Sequence, residues 1–305
     1  MKIGYNTWSM PKLSYVECVE LLAATGYDSL ELTVCEGWPT DALLAPAGAG
    51  AQWRRMADDA GIEVTSVTAN TPIIVDDTVW IGVRDRLLRS FDLSSELQLP
   101  GQRIPVSLGA LAPFVPGAAH RMPQGGDALW EQHRSLIVDR FSELAAAAAD
   151  REVRVALECH VGAVVSKPER ALAVLEAVGS DHLGLNLDIS HFDVQGMDIT
   201  EVVRVLGPHA IVSEVKDEIG VEPDFEFLVP GEGDFDYAAF VSAMASVGYR
   251  GSIAVEVSVM RQNSAARSYD PVEAARQSYR VLADAFEKAG VDRSSRTTSQ
   301  KEDAR

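Results

Sequence analysis

Four apolar runs in the second half of the chain each carry an acidic residue at their ends: Arg154-Val-Ala-Leu-Glu158, Gly184-Leu-Asn-Leu-Asp-Ile-Ser-His191, read as one strand that closes on Asp188-x-x-His191, Ala210-Ile-Val-Ser-Glu214 and Ser252-Ile-Ala-Val-Glu256. Short runs of aliphatic and β-branched residues without polar alternation predict strands buried on both faces. Segments of helical period separate them, at Pro168 to Val178, Ile199 to Leu206 and Phe235 to Val247. Parallel strands joined by such crossovers all finish on one edge of the sheet, so the four carboxylates converge. Carboxylates gathered away from water push one another's pKa upward, and a shared divalent cation removes the conflict. Glu158, Asp188, Glu214 and Glu256 are therefore the predicted metal ligands. Their oxygen donors suit Mn²⁺ first, with Mg²⁺, Co²⁺ or Zn²⁺ as alternatives.

The first half continues the alternation. Lys2 to Trp8 reads as a strand, and Ser14-Tyr-Val-Glu17 is a capping box that opens a helix ending before Gly26. Strands at Ser29 to Val34, Ile62 to Thr68 and Arg103 to Leu108 then alternate with helical stretches at Gln52 to Ala60, Val79 to Leu97 and Leu129 to Ala149. The closing helix runs from Pro271 to Ala289. This order predicts an α/β fold, a (β/α)8 barrel in a single domain over residues 1–291. A doubly wound sheet fits less well, because no Gly-x-Gly-x-x-Gly follows the first strand and no break in composition halves the chain. Residues 110–127, rich in Pro, Gly and Ala, and residues 218–233 are expected as long loops. The polar stretch 292–305 is expected to be disordered.

The chain carries 45 acidic against 27 basic residues, a net charge of −18, so its field repels phosphate backbones and anionic membrane surfaces. Neither nucleic acid nor a membrane is an expected partner. Three cysteines without framework spacing point to a reducing compartment. The N-terminus enters a strand at once, and no apolar stretch reaches the roughly 18 residues of a membrane span. A cytoplasmic location is the expectation.

The order Leu-Glu158, Leu-Asp188-x-x-His191, Lys216-Asp217, Gly231-Glu-Gly-Asp-Phe-Asp236 and Val-Glu256 resembles the xylose-isomerase-like sugar isomerases and epimerases. Ile3-Gly-Tyr-Asn-Thr-Trp-Ser9 and Gly26-Tyr-Asp-Ser-Leu-Glu31 are similar to that family's first two strands. The resemblance implies a TIM barrel with one metal ion held by Glu, Asp, His and Glu. These positions fall on Glu158, Asp188, Glu214 and Glu256, with Glu214 standing where the family has the second His of His-x-His-x-Lys-Asp. It further implies proton abstraction next to a carbonyl through an enediolate, with Glu158 and Glu256 as acid and base and His191 on a substrate oxygen. His160 lies two residues past Glu158, on the same side of an extended strand, and is an added candidate base. Trp8 and Lys216 are candidate substrate contacts.

The expected substrate is a small keto sugar, keto polyol or glycoside, isomerised or epimerised. Two alternatives within the family are a lyase on 3-oxo-glycosides, which would act with a small partner subunit, and a dehydratase of inosose or dehydroshikimate type. Outside catalysis, the change to Glu214 raises the alternative of a sugar-binding barrel subunit. A homo-oligomer is also compatible. The AP endonucleases of similar fold need many histidine ligands and a basic face, against six His and a charge of −18 here.

Overall fold

The computed structural model describes residues 1–113 and 127–294. Seven strands come first: β1 (Lys2–Asn6), β2 (Ser29–Thr33), β3 (Glu63–Thr68), β4 (Pro105–Gly109), β5 (Arg154–Glu158), β6 (Leu183–Asp188) and β7 (Ala210–Val215). A hairpin of β8 (Asp217–Val221) and β9 (Asp224–Leu228) follows, and then β10 (Ser252–Val255). Strands β1 to β7 and β10 are parallel and close into an eight-stranded barrel, with β10 between β7 and β1. The register that closes it pairs Lys2 with Ser252 and Tyr5 with Val255.

Closure needs the first strand to pack tightly between its neighbours. A Cβ on Gly4 would lie 2.3 Å from the Ser252 hydroxyl and 2.8 Å from that of Ser29. Those two hydroxyls instead share a hydrogen bond of 2.7 Å across β1.

The helices surround this wall: α1 (Tyr15–Thr25), α2 (Ala49–Ala60), α3 (Asp77–Leu97), α4 (Asp127–Ala149), α5 (Pro168–Val178), the short α6 (Ser190–Asp193), α7 (Ile199–Leu206), α8 (Tyr237–Ser246), the short α9 (Val259–Gln262) and α10 (Pro271–Ala289). Sequence signals account for their ends. Ser14 and Glu17 form the reciprocal capping box of α1, and Gly26 closes that helix in the left-handed conformation. Pro168 opens α5 and Pro271 opens α10, where the missing N–H costs nothing. Leu22, Phe91, Phe141, Phe240 and Phe286 are fully buried between helices and barrel. No helix among the described residues is long and apolar enough to cross a membrane.

Three expectations need amendment. His191 does not end a strand, because β6 stops at Asp188 and the Asp-x-x-His spacing is one turn running into α6. Residues 218–233 contain the hairpin, where Phe225 and Phe227 alternate with Asp224 and Glu226 at the strand period of two. Within the expected disordered tail, Arg293 makes a two-point ion pair with Asp28, at 3.1 and 2.9 Å, and Ser294 donates to the Met1 carbonyl. Residues 295–305, and residues 114–126 of the expected long loop, lie outside the described residues.

The hairpin is anchored by one buried side chain. The Asp217 carboxylate accepts backbone N–H groups from Glu218 (3.0 Å), Gly231 (2.7 Å), Gly233 (3.0 Å) and Phe235 (3.2 Å). Gly233 allows this approach, since a Cβ there would stand 2.5 Å from Asp217 Oδ1. Asp217→Ala strands those donors and is expected to cost about 2–4 kcal/mol in denaturant unfolding, against about 1 kcal/mol for a surface Asp. An equal cost for both would refute the anchoring role.

Candidate active site

The C-terminal ends of the barrel strands carry a buried cluster of ionisable groups. Glu158 and Asp188 are the last residues of β5 and β6, Glu214 is the penultimate residue of β7, and Lys216 and Glu256 each stand one past a strand end. All five side chains are buried. Strand period explains the grouping: Asn186 and Asp188, and likewise Glu214 and Lys216, are two apart and face the same side.

Lys216 is the centre of charge. Its ammonium donates to Asp188 Oδ2 and lies 2.9 Å from Glu256 Oε1. Ser190 Oγ accepts its backbone N–H at 2.7 Å and Tyr237 donates to its carbonyl at 3.1 Å, so the ammonium is aimed from both ends of the residue. Burial pushes Asp188 upward, but the Lys216 ammonium and the nearby imidazoles outweigh it and hold the carboxyl at about 2. Burial also opposes the Lys216 charge, and the surrounding carboxylates more than restore it. Glu256 is driven well above the usual carboxylate range, by burial first and then by Glu214 and Glu158, despite its contact with Lys216. Both observations on Lys216 are met if the ammonium serves Asp188 as its ion partner and only stands beside Glu256.

Deeper in the barrel, Glu214 is held by amides. Asn6 donates to its Oε1 at 2.5 Å and Asn186 donates to its Oε2. Asn6 also reaches Thr68 at 2.9 Å, and Asn186 reaches Ser107 at 2.9 Å. Glu31 hydrogen-bonds Glu214, and burial of the pair moves Glu31 up to about 8 and Glu214 well above its ordinary value.

Glu158 faces a different set of neighbours. Its Oε2 receives Asn70 at 3.3 Å, while Oε1 stands 3.1 Å from His160 Nε2 and 3.7 Å from His191 Nε2. Burial pushes both imidazoles down, His160 to about 4 and His191 to about 3. Phe227 of the hairpin meets the His191 ring edge-on at 5.2 Å. Trp8 stacks on Trp38 with centroids 4.4 Å apart and both rings partly exposed.

A divalent cation suits these residues on two grounds. Glu158, Asp188 and Glu214 each offer an oxygen within 4.8 Å of the others, and Glu158, His160 and His191 do the same with one oxygen and two nitrogens. Among the described residues, buried Glu158 Oε1 and His191 Nε2 also lack any hydrogen-bond partner, as donors awaiting a cation would. Glu158 is common to both groups, whereas Glu256 joins neither and faces Lys216.

The residues matched by the model of the xylose isomerase-like TIM barrel family run from 19 to 285. The chain belongs to that family. Its relatives include the inosose isomerase of Bacillus subtilis (strain 168), 29% identical over 133 residues, or 42% of this chain and 48% of the relative. The chain thus spans about half the length of that protein. The 3-dehydroshikimate dehydratase of Pseudomonas aeruginosa is 27% identical over 249 residues, covering 79% of this chain and 36% of that enzyme. Among solved structures, the IOLI protein with a bound zinc atom superposes with a TM-score of 0.74 at 20% identity, over 95% of this chain and 99% of that one, a likeness of fold. The relatives of this chain thus include an inosose isomerase and a 3-dehydroshikimate dehydratase.

Sequence reasoning missed Asn6, Asn186 and Phe227. Asn186 was legible, since it shares the Asp188 face of β6, but a lone Asn in a strand does not announce what it will hold. Asn6 and Glu214 are 208 residues apart, and local pattern carries no trace of their contact.

Two expectations follow from the electrostatics. Lys216→Met, which leaves Asp188 without its cation, is expected to destabilise metal-free protein by about 3–5 kcal/mol in urea, with much of the loss recovered in the Lys216→Met, Asp188→Asn pair. Additive losses would show that the ion pair is not what the lysine supplies. Because the folded-state pKa of Glu31 lies above its unfolded value, its contribution is full below about pH 4.5 and is lost as pH rises through about 8. Glu31→Gln should therefore flatten the fall in melting temperature of metal-free protein between pH 5 and pH 8, and an unchanged slope would refute this.

Proposed function

We propose that this chain is a divalent-metal-dependent enzyme that removes a proton from carbon next to a carbonyl of a keto sugar or keto polyol and returns it, as an isomerase or epimerase. The observation that carries this reading is the buried grouping of Glu158, Asp188, Glu256 and Lys216 at the C-terminal mouth of the barrel, where barrels of this kind hold their chemistry. The isomerase relative supports the substrate class.

In this reading Glu158 takes the proton from the carbon, and the electron pair moves onto the carbonyl oxygen to give an enediolate. Glu256, held protonated by its surroundings, delivers a proton to the other face or the adjacent carbon. Lys216 donates to Asp188, stands 2.9 Å from Glu256, and has a remaining N–H for a substrate oxygen. Trp8 and Trp38 supply a flat apolar wall for the sugar ring. A bound divalent cation would supply positive charge against the developing oxygen, and Glu158, shared by both donor groups, would hold it.

The dehydratase match, over most of this chain, supports a second outcome of the same first step. If the neighbouring carbon bears a hydroxyl, the enediolate can expel it as water, with the leaving oxygen taking its proton from Glu256. The test is ¹H NMR of ketoses, inososes and 3-oxo-glycosides in D₂O with metal-supplemented protein. Loss of the C–H signal next to the carbonyl is expected, slowed roughly 10²-fold or more in Glu256→Gln. Exchange that proceeds to an enone assigns the elimination branch. No exchange with any of the three substrate classes would sink the proposal.

A further inference from the structure

The carboxylates at the strand ends already possess a cation. Asp188 gives Oδ2 to the Lys216 ammonium and Oδ1 to the Ser190 N–H, and both Glu214 oxygens are taken by Asn6 and Asn186. A dication entering among them would have to displace a buried ammonium and break amide hydrogen bonds.

Glu158 offers the opposite situation. Its Oε1 has no hydrogen-bond donor among the described residues, and it points at two imidazole nitrogens instead of a positive side chain. We propose that Glu158, His160 and His191 form the divalent-metal centre of this chain, with Lys216 as the permanent cation of the neighbouring carboxylates. The proposal rests on the metal-dependent reading above and assigns its donors.

Geometry supports it. An ion with ligands at about 2.1 Å separates neighbouring donor atoms by roughly 3.0–3.5 Å. Glu158 Oε1 lies 3.1 Å from His160 Nε2 and 3.7 Å from His191 Nε2, His191 Nε2 also stands 3.5 Å from the Asp188 oxygen that Lys216 holds, and the two rings are 4.5 Å apart between centroids, tilted by 50°. The chain sets this up locally: β5 ends at Glu158 with His160 two residues on, and the turn into α6 swings His191 back over the strand ends. Phe227 packs edge-on against the His191 ring at 5.2 Å. Two imidazoles and one carboxylate favour a borderline ion, Zn²⁺ or Co²⁺, over Mg²⁺.

The test is titration of EDTA-stripped, full-length protein with Zn²⁺, Co²⁺ and Mg²⁺, followed by calorimetry and by elemental analysis of the loaded protein. One ion per chain is expected, with Zn²⁺ bound roughly 100-fold or more tighter than Mg²⁺. His160→Ala and His191→Ala should each weaken Zn²⁺ roughly 30-fold or more, and Asp188→Asn by less than about threefold. Folding of each variant is checked by circular dichroism. Wild-type protein with ¹⁵N-labelled histidine gives a second readout, in which Zn²⁺ shifts the Nε2 resonances of two imidazoles and leaves the other four. Loss of the ion in Asp188→Asn, with retention in both histidine variants and unmoved imidazole resonances, would overturn the assignment while leaving the metal-dependent function intact. A wild-type protein that binds none of the three ions would overturn both.

Discussion

Burial of a cluster of ionisable groups inside a closed parallel barrel is the constraint on which the rest of this structure depends. The wall has no free edge and is covered by helices, so a carboxylate at a strand end reaches little water. Glu31, Glu158, Asp188, Glu214 and Glu256 are nearly inaccessible, and each meets the cost differently. Asp188 remains ionised against the Lys216 ammonium. Glu31 and Glu214 share hydrogen bonds and amide donors, and Glu256 is pushed toward its neutral form. Glu158 keeps an oxygen without a donor among the described residues, which makes it the point in the cluster that calls for a cation.

The scaffold serves this cluster through a few placed residues. Gly4 lets the first strand close the barrel against its last, bringing Asn6 across to Glu214. Asp217 follows Lys216 directly and binds four backbone N–H groups, so the segment leaving Lys216 is tied down where the hairpin begins. Phe227 then packs on His191 and sits 5.8 Å from the Lys216 ammonium. The fold and the chemistry are coupled at adjacent positions in the chain.

The glutamate at position 214, where the resemblance implies a histidine, follows from the same accounting. A histidine in place of Glu214 would be a neutral donor, whereas a glutamate adds negative charge that the barrel must answer. The observed answer is that burial and the neighbouring carboxylates push Glu214 well above the usual carboxylate range, toward its neutral form, while Asn6 and Asn186 donate to its two oxygens. A family member can thus keep the barrel and the acidic strand ends while redistributing which side chains carry charge.

Much of this was legible in the sequence, because it depends on local pattern. Buried strand runs, helical periods, the Ser14 capping box, Pro168 and Gly26 are short-range signals, and they sufficed for an eight-stranded barrel with Glu158, Asp188, Glu214 and Glu256 at one mouth. Three features were not legible. Phe225 and Phe227 alternate with acidic residues in a stretch that composition marks as loop, so the hairpin was missed. Asp188 and His191 were read as one strand, although a spacing of three belongs to a helical turn. Above all, the pairing of Lys216 with Asp188 and the approach of His160 to Glu158, with His191 between the two carboxylates, depend on distances across the barrel. Sequence determines which ionisable groups reach the mouth, since strand period and strand ends are local properties. Tertiary structure alone decides which of them pair, because charges separated by dozens of residues meet only when the barrel closes.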